Sequence, residues 1–129
     1  MASRVIISAF NEQFNDFIGN LIKTFPGDRD FTSARSGANV LLTFDDKQLI
    51  QLFERYIPPY EEKIIGRDEQ FFLENNYAEI ALATNVASDI IDKLKKLWRE
   101  LDYDNRVVVW EYLGNLVKLC QKYRSLKTQ

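Results

Sequence analysis

Hydrophobic positions recur at helical spacing over most of this chain. The clearest case runs from Phe10 to Phe25, where apolar residues follow one another in steps of one, three and four along one helix face. Ser8 is predicted to be the N-cap of this helix, and Pro26-Gly27 predicts its end. The face consists of Phe10, Phe14, Phe17, Ile18, Leu21, Ile22 and Phe25.

Two further helices are predicted before the middle of the chain. The second covers about Phe31 to Leu42, with Phe31, Ala34, Ala38, Leu41 and Leu42 on one face. The third is predicted to open at Thr43, because Asp46 three residues later completes a pair similar to a capping box. Its inward face is Leu49, Ile50, Phe53, Tyr56 and Ile57, and Pro58-Pro59 predicts its end.

A fourth helix is predicted to open at the cap-like pair Asn76 and Glu79 and to continue to Leu101. Two acid-before-base pairs at i,i+4, Asp89 with Lys93 and Asp92 with Lys96, support it. The predicted apolar face consists of Ile80, Ala83, Ala87, Ile90, Ile91, Leu94, Trp98 and Leu101.

A fifth helix is predicted from about Tyr103 to Arg124, with Asp102 to Asn105 as its capping segment. Val107 to Trp110 could be read as a strand, because β-branched residues disfavour a helix slightly. We favour a helix, since an isolated strand would have no partner. The predicted stripe is Val109, Leu113, Leu116, Cys120 and Tyr123, so Cys120 is predicted to be a buried, unreactive thiol. Trp98 and Trp110 also fall at helical spacing with other apolar residues, which favours core packing over ligand stacking.

The segment from Tyr56 to Tyr77, YIPPYEEKIIGRDEQFFLENNY, interrupts this pattern and is called the aromatic connector below. In one interpretation, Glu61 to Ile65 form a short turn before Gly66, Asp68 caps a second turn, and the aromatic rings plug the core. In the other, the connector docks a partner protein. The partner-binding candidates are Tyr60, Phe71, Phe72 and Tyr77.

These patterns predict an all-α fold, a single compact domain over residues 1–129 with about five main helices and a short helical or irregular connector in the middle. The length of 129 residues and the 46% hydrophobic content suit one packed domain. No apolar run approaches the roughly 18 residues of a transmembrane helix, so no membrane partner is predicted. The N-terminus lacks a signal-peptide pattern, and the single cysteine excludes an internal disulfide, so a reducing compartment is expected.

Candidate chemistry is sparse. The chain has no histidine, which removes the commonest general base and most zinc sites, and it has no phosphate-binding glycine loop. The carboxylate doublets Asp45-Asp46, Glu61-Glu62 and Asp68-Glu69 are sequence neighbours, whose side chains point about 100° apart on a helix. We therefore predict a non-enzymatic protein without catalytic residues, metal or cofactor.

Charge is unevenly distributed. Residues 45–79 carry nine acidic and four basic side chains, whereas residues 93–129 carry nine basic and four acidic ones. The basic end could bind phosphate groups, or it could complement a helix dipole and otherwise face solvent. It could also meet the acidic middle of another copy, head to tail. The phosphate-binding candidates are Lys93, Lys96, Arg99, Lys118, Lys122, Arg124 and Lys127.

Three stretches resemble a group of small uncharacterised helical proteins encoded by nucleocytoplasmic large DNA viruses of algae and protists. They are FNEQFNDFIGNLIKTFPGDRD from Phe10 to Asp30, LIQLFERYIPPYEEKIIGRDEQFFLENNY from Leu49 to Tyr77, and YLGNLVKLCQKY from Tyr112 to Tyr123. The order matches the group, and Gly27 departs from it where an acidic or polar residue is expected.

The resemblance implies a virus-encoded protein but no established activity. We expect a structural or interaction protein, a virion component such as a minor capsid or core-associated protein. Its partners would be other virus-encoded proteins or further copies of itself. The alternatives are a DNA-binding or DNA-packaging accessory that uses the basic C-terminal region, and an adaptor that docks a partner on the connector. The expected location is the host cytoplasm or nucleus during infection, with the virion as a further location.

Overall fold

The first helix begins earlier than its clearest pattern predicts. A computed structural model of the chain describes residues 2–74 and 93–127, and α1 spans Ala2–Thr24 within it. Ser8 lies inside α1 and is exposed, so its predicted role as N-cap is wrong. The helix extends further because Ile6 and Ile7 continue the buried stripe that Phe10 was predicted to open.

The second helix, α2, spans Arg29–Phe44 and is capped by Asp28, whose carboxylate accepts a hydrogen bond from the backbone N–H of Asp30 at 2.9 Å. The capping box predicted at Thr43 is wrong. The Thr43 hydroxyl donates to the carbonyl of Asn39, four residues earlier in α2, at 2.9 Å, so the helix continues through Phe44.

The third helix, α3, spans Gln48–Tyr56 and ends before the two prolines, as predicted. Its residues Leu49 and Ile50 are buried. Phe53, Tyr56 and Ile57 are partly buried and pack against the same core, so the predicted inward face of this helix is confirmed.

The aromatic connector folds into a 3-10 turn, Pro58–Tyr60, followed by two short helices, α4 over Glu61–Ile65 and α5 over Glu69–Glu74. A Schellman arrangement ends α4: the N–H of Arg67 bonds to the carbonyl of Ile64, and the N–H of Asp68 bonds to that of Lys63. Asp68 Oδ1 accepts from the N–H of Phe71 at 3.0 Å, so the predicted cap is confirmed.

The last helix, α6, spans Tyr103–Lys127, and Asp102 caps it by accepting from the N–H of Asn105 at 2.8 Å. Residues 93–97 are helical, and a 3-10 turn, Trp98–Glu100, leads into extended Leu101. The helical interpretation of Val107 to Trp110 is confirmed. Several predictions fall outside the described residues: the cap Asn76 and Glu79, the face from Ile80 to Ile91, and Asp89 and Asp92 as partners of Lys93 and Lys96.

The core forms where α1 packs along α6 and both contact α3. Phe17 of α1 stacks on Tyr112 of α6 with ring centroids 5.4 Å apart, and Phe10 meets Phe53 of α3 edge to face at 5.1 Å. The predicted stripe of α6 is confirmed: its members are buried, with Leu113 partly so. The protein is an all-α, single compact domain.

A second cluster of aromatic rings joins the connector to this core. Phe72 of α5 lies 5.4 Å from Trp98 and 6.0 Å from Trp110, and the two tryptophans are 5.6 Å apart, all measured between ring centroids. Trp98 is 1% exposed and Trp110 is 7% exposed, so both are core residues as predicted. Aromatic pairs at these distances stabilise a fold beyond the area that they bury.

Candidate functional site

The aromatic connector exposes less aromatic surface to solvent than its number of aromatic residues suggests. Phe72 is only 8% exposed and belongs to the core, so it is not available to a partner protein. Tyr60 and Phe71 are half-buried and face each other at 6.2 Å, and the ammonium of Lys63 lies 5.5 Å from the centre of the Phe71 ring. Tyr77 lies outside the described residues. Partner binding by Tyr60 and Phe71 stays a prediction, while the core interpretation accounts for Phe72.

The end of α6 uses its cations inside the molecule. Arg124 forms an ion pair with Glu61 at the start of α4, and Lys127 Nζ lies 3.0 Å from a carboxylate oxygen of Glu54 on α3. Gln121 adds a hydrogen bond to the second oxygen of Glu61 at 3.0 Å. These hydrogen bonds to carboxylates raise the pKa of Arg124 and of Lys127 above their ordinary values.

Lys93 is also engaged within the chain. Its ammonium lies 2.8 Å from Asp30 and 3.2 Å from Asp28, the residue that caps α2. The hydrogen bond to Asp30, followed by that to Asp28, raises the pKa of Lys93. Lys93 therefore holds the start of α2 against the segment that precedes α6, and three of the seven predicted phosphate-binding cations neutralise acids of their own chain.

The other four predicted cations, Lys96, Arg99, Lys118 and Lys122, are exposed and form no ion pair with any described residue. They fall into two groups. Lys96 and Arg99 precede α6 in the chain, on either side of Trp98, whose ring lies 5.5 Å from the guanidinium of Arg106 near the start of α6. Lys118 lies twelve residues, about 18 Å, beyond Arg106 along α6, so the two groups are treated as separate surfaces.

A pocket of about 200 Å³ lies between the end of α4 and the middle of α6. The α4 side supplies Ile64, Ile65 and Arg67, and α6 supplies Trp110, Glu111, Gly114, Asn115 and Lys118. Lys118 is one of the predicted phosphate-binding residues, whereas Arg67 is not, because nothing in the local pattern shows that the turn after α4 brings this guanidinium to α6.

Three apolar side chains are exposed at the start of α1 and the end of α2: Val5, Val40 and Phe44, which are 69%, 57% and 84% exposed. Together they are called the end surface below. An ion pair between Arg4 and Asp46 at 2.7 Å holds the start of α1 beside the turn after α2. The exposure of these side chains was not predicted from the sequence. The available signal was the i,i+4 spacing of Val40 and Phe44, away from the inward face of α2.

Cys120 lies on the inward face of α6 and is 0% exposed in the core, as its place on the apolar stripe predicts. Burial raises the pKa of the thiol to about 11, and the nearby positive charge of Arg124 only partly opposes this shift. The thiolate is the nucleophilic form of cysteine, so at neutral pH this side chain has little nucleophilic character.

The carboxylate doublets do not converge. Asp46 pairs with Arg4, Glu61 with Arg124, and Asp68 caps α5. Among residues 2–74 and 93–127, no group of three potential metal ligands is placed to hold an ion. In the same ranges, no helix has the length and apolarity needed to cross a membrane.

The candidate contact sites among the described residues are the end surface, the pocket between α4 and α6, and the exposed cations Lys96, Arg99, Lys118 and Lys122; Lys118 belongs to the last two. Comparison with protein-family models, with curated proteins and with solved structures gave no match to this chain.

Proposed function

We propose that this protein is a non-enzymatic interaction protein that contacts other proteins through the end surface. The observation that carries the proposal is Phe44, a large apolar side chain that is 84% exposed on an ordered helix. Val40 lies one helical turn before Phe44 on α2 and is 57% exposed, and neighbouring exposed apolar side chains are typical of protein-protein contacts.

The energetics of the end surface favour binding. Complete burial of a valine or phenylalanine side chain contributes roughly 1.5–3 kcal/mol. The helices that present Val5 and Phe44 are already held together by the Arg4–Asp46 ion pair and by a hydrogen bond from Asn11 to the carbonyl of Asp46 at 2.9 Å. A partner would therefore bind a preformed surface and would pay little conformational entropy to order it.

Resemblance to proteins of large DNA viruses supports a partner from the same virus, or a second copy of this chain. In this proposal the protein is a virion component, a minor capsid or core-associated protein. The assignment rests on association with the viral group rather than on a physical property of the end surface.

Multi-angle light scattering across a concentration series, with proteomics of purified particles, tests the proposal. We expect a mass that rises with concentration or recovery of the protein in particles, and in either case loss of the contact in the double variant Val40→Ser with Phe44→Ser. The matched control is Tyr103→Ser, because Tyr103 is 79% exposed at the start of α6 and lies outside the end surface. A strict monomer that is also absent from particles would refute the proposal.

A second candidate function is DNA binding or DNA packaging. It is favoured by Lys118 and Lys122, which lie one helical turn apart on α6 and form no ion pair with a described residue. Phosphate contacts release counterions, so binding should weaken steeply with salt.

A gel-shift series in rising salt tests this alternative. We expect the double variant Lys118→Ala with Lys122→Ala to lower the slope of log affinity against log salt by about two. The double variant Lys23→Ala with Lys47→Ala removes the same charge elsewhere and is the control. Absence of binding even at low ionic strength would exclude DNA binding.

A further inference from the structure

The pocket between α4 and α6 contains two residues that local backbone preferences disfavour. Arg67 has φ of 54°, in the left-handed region that glycine adopts most easily. It occupies the position after the end of α4 where a Schellman motif usually has glycine. Gly66, one position earlier, has φ of −77° and does not use its own freedom for a left-handed turn.

Gly114 is the second such residue, since glycine inside a helix is less favourable than alanine. A Cβ added at this position would meet nothing within 4 Å. No close packing therefore requires the missing side chain, and its absence leaves space open at the pocket wall. Departures from local preference often coincide with functional sites.

Three charged side chains line the pocket, and together they carry a net positive charge. Arg67 and Lys118 bring two cations to it and Glu111 brings one carboxylate, and none of the three forms an ion pair with a described residue. The engaged cations of this molecule, such as Arg124 and Lys127, contact carboxylates directly. The pocket thus keeps uncompensated positive charge next to the apolar side chains of Ile64 and Trp110.

We propose that this pocket binds a small phosphate monoester. At neutral pH such a group carries a charge of about −1.5 to −2, which the two cations attract although Glu111 opposes it, and the planar guanidinium of Arg67 can donate two parallel hydrogen bonds to it. Ile64 and Trp110 would contact the organic part. The volume of about 200 Å³ lies below the roughly 300–1,000 Å³ of sites for drug-sized ligands, which limits that part to a few atoms or one ring.

Titration of the full, isotopically labelled chain with phenyl phosphate tests this site by nuclear magnetic resonance. We expect saturable shifts of the Arg67 side-chain N–H, the Gly114 amide and the Trp110 indole N–H. Inorganic phosphate should produce the same shifts with weaker affinity, because it lacks the organic part. Sodium chloride at equal ionic strength should not produce them. Shifts that do not saturate, that sodium chloride reproduces, or that map elsewhere would overturn the proposal.

Arg67→Gly separates binding from folding, because glycine keeps the left-handed turn while the guanidinium is lost. We expect the affinity for phenyl phosphate to fall roughly tenfold or more in Arg67→Gly and in Lys118→Ala. The matched control Lys96→Ala removes an exposed lysine outside the pocket and should bind as the unmodified protein does. Unchanged affinity in both Arg67→Gly and Lys118→Ala, or an equal loss in Lys96→Ala, would overturn the proposal.

Discussion

Phe72 in the aromatic connector and Phe44 in the end surface are the same amino acid in opposite surroundings. Phe72 is 8% exposed between Trp98 and Trp110, whereas Phe44 is 84% exposed at the end of α2. The connector is dense in aromatic residues, yet its best-placed ring supports the fold. The end surface has one aromatic residue, which faces solvent. Whether an aromatic ring can contact a partner therefore depends on the face of the helix on which it lies, and not on how many aromatic residues are nearby in the sequence.

The largest change in stability is predicted for the substitution of Phe72 in the connector. Phe72→Ala should lower the free energy of unfolding by about 3–5 kcal/mol, because it leaves a cavity between two tryptophans. Phe44→Ala should change it by no more than about 0.5 kcal/mol, because the side chain has few contacts to lose. Urea denaturation followed by circular dichroism measures both values. Equal losses in the two variants would show that Phe44 also packs in the core in solution.

The next largest change in stability is predicted at Arg67, where the backbone of the connector is left-handed. Arg67→Gly should raise the free energy of unfolding by about 1 kcal/mol, because glycine adopts a left-handed conformation without the steric cost of a Cβ. Gly66→Ala is the matched control, because Gly66 has φ of −77°, so this change relieves no left-handed strain, and its Cβ would lie 3.1 Å from the carbonyl oxygen of Glu62. A less stable Arg67→Gly would mean that contacts of the arginine side chain outweigh the backbone strain.

A smaller difference is expected between the coupling energies of two ion pairs, Arg124 with Glu61 at the connector and Arg4 with Asp46 at the end surface. Glu61 in its pair with Arg124 is largely shielded from solvent, while Arg4 and Asp46 at the end surface are both more exposed than their counterparts. A double-mutant cycle with alanine should give a coupling energy of about 1 kcal/mol for Arg124 with Glu61 and about 0.3 kcal/mol for Arg4 with Asp46. The reverse order would mean that solvent exposure does not control these pairs.

The smallest effect on stability at neutral pH is expected from ionisation of the Cys120 thiol, which lies near the ion pair of Arg124 with Glu61. Burial raises the thiol pKa from 9.0 to about 11, so between these values the unfolded chain loses the proton first. This contribution to stability is complete below about pH 9 and is lost as the pH rises through about 11. Stability curves of the unmodified protein and of Cys120→Ala should therefore converge over that range. Parallel curves would show that the thiol does not titrate in this way.

Helical spacing alone predicted the all-α fold, the buried stripe of α6 and the burial of both tryptophans, because amphipathic patterns report directly on the inward face of a helix. The ends of the helices were harder to predict. Thr43 has a hydroxyl that can cap the next helix or bond back to its own, and the sequence does not say which occurs.

The candidate sites were the least predictable part, since they depend on contacts between distant segments. The sequence separates the acids of residues 45–79 from the basic end, but the fold places Glu54 and Glu61 beside Lys127 and Arg124. Arg67 and Lys118 are among the cations left without an ion pair to a described residue, and their place beside one pocket becomes visible only in the folded chain.

The packing of α1 along α6 has a consequence for the order in which the protein can fold during synthesis. Gln13 accepts a hydrogen bond from Asn115, 102 residues later, and Phe17 stacks on Tyr112. The ribosome makes α1 before α6, so α6 can cover α1 only after all of the intervening segments have been made. Until then Phe17 lacks its stacking partner, so the nascent chain carries an incompletely covered apolar helix, a form that is prone to aggregation or chaperone binding.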